Sequence, residues 1–125
     1  MPRPCTVLLV EDDAWISMAT ATLLKDLGHR VIEAPSGRKA LEILRAGTAV
    51  DLVVTDQAMP AMTGTELAAE IRESWPDLPI ILATGYAEPP KGGPPGLLWI
   101  NKPYGQDELA AVIAELMRAR ATPTP

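Results

Sequence analysis

Short, almost continuously apolar runs punctuate this sequence: TVLLV at 6–10, RVIEA at 30–34, DLVVT at 51–55, IILAT at 80–84 and LLWI at 97–100. Several are apolar on both faces. A sheet with one face in water alternates apolar with polar residues, whereas a parallel strand covered by helices on both sides must be apolar throughout. Between the runs, apolar residues recur at helical spacing: Ile16, Ala19, Leu23 and Leu27; Ala40, Leu41 and Leu44; Leu67, Ile71 and Trp75. The clearest set is Leu109, Val112, Ile113 and Leu116, after Asp107 and Glu108, two acids that favour the positive end of a helix dipole. Gly28 and Gly47 stand where helix C-caps are expected. Strand and helix alternating in this way predict an α/β fold, an open parallel sheet with right-handed crossovers. In such sheets the chemistry collects beyond the carboxyl ends of the strands.

A chain of 125 residues with 47% hydrophobic content fits one domain and one sizeable core, here over about 5–120 with a flexible tail at 121–125. The net charge of -5 is mild and Lys and Arg do not cluster, which argues against nucleic acid and acidic membranes as partners. The single cysteine, Cys5, opens the first apolar run, where a small buried thiol is the ordinary reading and suits a reducing cytosol. No apolar window is long enough to span a bilayer, and the N-terminus lacks the basic-then-apolar pattern of an export signal. A soluble, cytoplasmic protein is therefore expected. His29, alone in a helix-to-strand turn, reads as structural.

The residues that close the strands form a charged set: Glu11 and Asp12 after the first, Asp56 after the third, Thr84 after the fourth and Lys102 after the fifth. Three carboxylates in one small region raise each other's pKa unless a cation is present, and oxygen-only ligands without His or Cys nearby suit Mg²⁺. A carboxylate beside such an ion can attack an electrophilic phosphorus while a Lys ammonium and a Thr hydroxyl meet the charge on the transferring group. Asp13, the third acid in VEDD, reads as the N-cap of the first helix. Met59-Pro60 and Gly64 fit a loop after Asp56 that needs a fixed φ and a small residue.

VEDD, TDQAMPAMTGTEL, LATGY and INKPY, in this order and on these strand ends, resemble the receiver domain of two-component response regulators over about residues 5–120. The resemblance implies a flavodoxin-like, doubly wound five-stranded parallel sheet of order 2-1-3-4-5. It also implies Mg²⁺-dependent phosphorylation of an aspartate by a histidine kinase or histidine phosphotransfer protein, the domain catalysing its own phosphorylation and acting as a switch or phosphate sink. On this resemblance Asp56 is the phosphoacceptor. Glu11, Asp12, Asp56 and the backbone carbonyl of Ala58 are the metal ligands. Thr84 and Lys102 hold the phosphoryl oxygens, and Trp99 occupies the place of an aromatic residue that changes rotamer on activation. A Mg²⁺-dependent phosphohydrolase of the haloacid dehalogenase type would need a second Asp two places after the first, where this chain has Ala58. A pseudo-receiver that binds without being phosphorylated fits poorly with the intact set of acids, acceptor, hydroxyl and ammonium.

The chain departs from the family between Thr84 and Lys102. Only 17 residues lie between them, and seven of the nine from Glu88 to Gly96 are Pro or Gly. Proline costs about 3 kcal/mol inside a helix and glycine about 1 kcal/mol relative to alanine. A mobile loop over 86–96 is expected in place of the helix that receivers usually carry there, which leaves dimerisation through that face without its usual surface and makes a monomer the expectation. LATGY also resembles a stand-alone receiver subgroup with Phe-Ala-Thr-Gly at this place, with Leu82 replacing the Phe. Amide hydrogen exchange checks the loop: rapid exchange across Glu88 to Gly96 is expected, and slow, helix-like protection there would sink the idea.

Overall fold

The computed structural model describes residues 5–84, 98–101 and 104–121. The expected loop over 86–96 and the expected phosphate-holding residue Lys102 lie outside the described residues. The elements run β1 (Thr6–Val10), α1 (Ala14–Asp26), β2 (Arg30–Ala34), α2 (Gly37–Arg45), β3 (Leu52–Asp56), α3 (Gly64–Ser74), β4 (Ile80–Thr84), β5 (Leu98–Asn101) and α4 (Gln106–Ala121). The strands form one parallel sheet of order β2-β1-β3-β4-β5, the flavodoxin-like arrangement. β3 and β4 are buried along their whole length and β1 nearly so, whereas the edge strands β2 and β5 are partly exposed. That is why the central runs are the most continuously apolar.

Two cores lie on opposite faces of this sheet. On one, Val7 and Leu9 of β1 and Val54 of β3 pack with Ala21 and Leu24 of α1 and with Leu109 and Ile113 of α4. On the other, Leu8, Val10 and Val53 pack with Ala40, Leu41 and Leu44 of α2 and with Leu67, Ala68 and Ile71 of α3. Strand side chains alternate between faces, so consecutive residues of β1 enter different cores. Gly28 (φ 95°) and Gly47 (φ 85°) follow α1 and α2 in the left-handed conformation that ends a helix without a Cβ clash.

Three sequence expectations need correcting. The third and fifth strands each start and end one residue later than their apolar runs, so Asp56 is the last residue of β3 rather than the residue after it. Trp75 caps the end of α3 instead of belonging to it. The third correction concerns α1, which buries Ser17, Thr20, Ala21 and Leu24, while Ile16 is exposed. The phase of the helix is fixed by its cap, where Asp13 Oδ1 accepts from the N–H groups of Trp15 and Ile16 at 2.9 and 3.1 Å. With that phase, hydroxyls face inward and find partners: Ser17 Oγ donates to Glu33 Oε1 at 2.7 Å, and Thr20 Oγ1 lies 3.2 Å from the Tyr104 hydroxyl.

At the amino edge, His29 is buried in the turn between α1 and β2, as its lone position suggested. Its Nδ1 accepts from the Cys5 N–H at 3.2 Å and lies 3.3 Å from Cys5 Sγ. Burial lowers its pKa from the ordinary value. A protonated ring cannot accept at Nδ1, so the native state prefers the neutral form and the unfolded chain takes up the proton more readily. Stability linked to His29 is thus complete above the unfolded pKa of about 6.5 and declines as pH falls below it. Between pH 7.5 and 5, the parent should lose more of its Tm than His29→Gln does. Equal losses would show that His29 contributes nothing to the acid sensitivity.

Candidate functional site

Register places the site. Ala34, Val10, Thr55, Leu82 and Trp99 lie side by side across the five strands, one row short of the carboxyl edge. One residue further along come Glu11 after β1 and Asp56 at the end of β3, the latter paired with Ala83. Two residues further come Asp12 and Thr84, the latter paired with Asn101. A parallel sheet with nearly level strand ends therefore sets these residues along one edge.

The carboxylates converge. One oxygen from each of Glu11, Asp12 and Asp56 lies within 4.8 Å of the others, the grouping of acids that could hold a metal ion among the described residues. Glu11 (6% exposed) and Asp56 (7%) are buried and Asp12 is exposed, so the cluster has a dry base and a wet rim. At this spacing and an effective dielectric of about 20, two ionised carboxylates repel by roughly 3 to 4 kcal/mol before screening. A hard cation suits such a group of oxygens, and the exposed side leaves room for the water ligands that Mg²⁺ retains. The donor set therefore fits that ion. Asp13 stands apart from this cluster, as its capping role predicts, although its N–H donates to Glu11 Oε2 at 3.2 Å.

The loop after Asp56 is held from several sides. Gln57 N–H donates to Ala83 O at 2.9 Å, and Gln57 O accepts from the Gly64 N–H at 3.0 Å, closing the loop on itself. The Gln57 side-chain oxygen accepts from the Thr65 N–H at 2.8 Å and from its hydroxyl at 2.7 Å. Thr63 and Glu66 form a capping box at the start of α3. At the far turn, Ala61 takes φ 69° and the Met62 N–H donates to Pro60 O at 2.7 Å. A non-glycine residue in this left-handed region carries strain of about 1 to 2 kcal/mol. Gly64 is required by close approach: a Cβ there would run into the Asp56 carbonyl oxygen and Leu82 Cδ1.

Of the residues singled out from the sequence, the structure brings Glu11, Asp12 and Asp56 together and puts Thr84, which is buried, at the adjoining strand end. Ala58 is exposed two residues beyond Asp56, and Trp99 is half-buried in β5. Sequence reasoning passed over Gln57 and Thr65, whose pairing has no signature in spacing or composition. It also missed the exposure of Trp15, Ile16 and Met18, although the acids before Trp15 put these three beside the predicted edge. Gly64→Ala should push the Asp56 backbone and Leu82 aside, lowering Tm by several degrees for a loss of about 1 to 3 kcal/mol. A thermal melt unchanged from the parent would show that the close approach is relieved without cost.

Comparisons with known proteins agree with this geometry. Residues 7–93 match the family described as response regulator receiver domain. The sensor kinase CckA of Brucella abortus is 40% identical over 90% of this chain, which spans 12% of that protein. The transcriptional regulatory protein GlrR of Escherichia coli is 31% identical over 98% of this chain and 28% of its own length. This chain thus corresponds to a small part of either relative. A crystal structure of a response regulator receiver protein from Sinorhizobium medicae superposes with a TM-score of 0.85 at 33% identity, over 94% of this chain and 98% of that one. With the matched residues spanning most of its sheet and its acidic edge, the chain belongs to the response regulator receiver domain family of two-component signalling.

Proposed function

We propose that the chain is phosphorylated on Asp56 by a histidine kinase or histidine phosphotransfer protein in the cytoplasm, with Mg²⁺ as cofactor, and works as a switch or phosphate sink. The observation that carries this reading is the convergence of the Glu11, Asp12 and Asp56 carboxylates within 4.8 Å at the carboxyl edge of the sheet. Glu11, Asp12, Asp56 and the Ala58 backbone carbonyl would hold the ion. When bound, Mg²⁺ would supply positive charge to the acids and to the phosphoryl oxygens.

In the transfer step an Asp56 carboxylate oxygen attacks the phosphorus of the donor. A P–O bond forms, the P–N bond to the donor imidazole breaks, and its electron pair returns to the ring. The buried setting of Asp56 limits water at the acyl phosphate, and the hydrogen-bonded loop from Gln57 to Thr65 keeps the acceptor in place. The Thr84 hydroxyl donates to one phosphoryl oxygen and the Lys102 ammonium neutralises another. Phosphorylation adds about -1.5 to -2 charges at this edge. That change biases the neighbouring loops and the packing of Trp99, the candidate switch residue. The chain is in this reading a signalling protein that assists its own modification rather than an enzyme acting on an outside substrate.

Incubation with acetyl phosphate and Mg²⁺, followed by intact mass, tests the reading. The parent should gain one phosphoryl group, Asp56→Asn none, and Asp12→Ala should need much higher Mg²⁺ for the same labelling. Full labelling of Asp56→Asn, or labelling of the parent that is indifferent to chelation, would overturn the assignment.

A further inference from the structure

Gln57 makes more hydrogen bonds than its place in a loop requires. Its backbone N–H donates to Ala83 O at 2.9 Å, and its carbonyl accepts from the Gly64 N–H at 3.0 Å. Its side-chain oxygen accepts twice, from the Thr65 N–H at 2.8 Å and from the Thr65 hydroxyl at 2.7 Å. The orientation of the amide follows from chemistry: a backbone N–H can only donate, so the side-chain atom facing Thr65 is the oxygen. Gly64, Thr65 and Glu66 open α3, and the first N–H groups of a helix have no partner within it. Gln57 takes two of these three.

Capping alone does not account for the side-chain contact. The helix already has its capping box, in which Thr63 Oγ1 accepts from the Glu66 N–H at 3.2 Å and Glu66 Oε1 accepts from the Thr63 N–H at 2.9 Å. The Gln57 side chain reaches across eight residues of chain to make a bond that water makes at ordinary helix starts. Water could satisfy Thr65, but it could not hold Gln57.

Gln57 stands between Asp56 and Ala58, the two residues of this loop to which the proposed function assigns the metal. Ala58 is exposed and follows directly, so the direction of its carbonyl depends on how firmly the residue before it is held. Resting on the function proposed above, we infer that Gln57, through its tie to Thr65, is a positioning residue that sets the Ala58 carbonyl for Mg²⁺ and so governs the affinity of the acidic site for the ion. Gln57 gives the ion no atom of its own, because its carbonyl and side-chain oxygens both face the start of α3. A loop released from α3 spends only part of its time in the binding arrangement, and the apparent affinity falls by that fraction.

Titration of isotope-labelled protein with Mg²⁺, read from amide chemical shifts well below the Tm, gives the dissociation constant. It also reports the Met59 N–H, whose peptide contains the Ala58 carbonyl. In the parent that signal should move with the same midpoint as the Asp56 amide. Gln57→Leu should raise the dissociation constant by about three- to tenfold. Thr65→Val, which loses the hydroxyl and keeps the N–H, should raise it by about twofold, and Thr65→Ser, which keeps both donors, should match the parent. The double variant Gln57→Leu with Thr65→Val should bind no more weakly than Gln57→Leu alone, because the two side chains act through one contact. A purely structural tie would lower the Tm and leave the dissociation constant of the folded protein unmoved. A rise of less than about threefold in Gln57→Leu therefore overturns the inference, as do multiplying effects in the double variant or a Met59 signal that stays still while the acids respond. If Gln57→Leu does not fold, Thr65→Val against Thr65→Ser decides, and equal affinities overturn it. A parent whose Glu11, Asp12 and Asp56 amides ignore Mg²⁺ fails earlier, at the metal site of the proposed function.

Discussion

Three carboxylate oxygens lie within 4.8 Å of one another at the carboxyl edge, a mutually repulsive grouping that the rest of the fold holds in place. Water would relieve the repulsion if the acids could spread, but Glu11 and Asp56 are buried at the ends of strands with no freedom to move apart. Their positions follow from the pairing of β1 with β3 and of β3 with β4, three central strands whose side chains fill both cores. The electrostatic cost at one edge is thus offset by apolar burial along the length of the sheet. A bound cation would offset that cost further, which links the affinity of such a site for metal to the rigidity of the strands that hold it.

The loop from Gln57 to Thr65 shows how that rigidity is extended past the sheet. Gln57 is tied to Ala83 of β4 by its N–H, and by its carbonyl and side chain to Gly64 and Thr65 at the start of α3. These hydrogen bonds restrain the loop at both ends. The strain at Ala61 sits at the far end of the same loop, where Met62 packs over Gly37 of α2. A disturbance at Asp56 therefore has a hydrogen-bonded route to the start of α3, and a packing contact through Met62 to the start of α2. The presence of such a route is a structural fact, and its use as a signal depends on two arrangements of similar energy.

Much of this was legible in the sequence because its strongest signals were redundant. TVLLV and IILAT could be read as parallel strands covered on both faces from their apolar continuity, and the acids that follow the strands then fell on one edge by topology. Asp13 could be separated from Glu11 and Asp12 because a helix start needs a cap at that position. The reading of α1 failed for the opposite reason. Periodicity assumes that the apolar stripe is the buried one, and in this helix Ser17 and Thr20 are buried instead, satisfied by Glu33 and Tyr104, which come from distant parts of the chain. No local pattern announces such partners. Gln57 and Thr65 were missed on the same ground, whereas Gly64 was noticed as a small residue without the contact that makes it necessary.

The two edges of the sheet differ in how they treat polar groups. At the amino edge, Thr6 N–H donates to the Asp51 side chain at 2.8 Å, Asp51 N–H donates to Thr6 O at 2.8 Å, and His29 accepts from Cys5 N–H. Each of these ties the start of β1 to the start of a neighbouring strand. At the carboxyl edge the acids crowd together and the apolar side chains of α1 turn outward. Charge spacing and apolar patterning follow local rules at the first edge and depart from them at the second. Natural sequences break such rules where function requires it and compensate elsewhere. The crowded acids lie beyond the row that contains Val10, Thr55 and Leu82, and α1 starts at that same end, so the departures from local rules begin at one end of the sheet while the other end secures the fold.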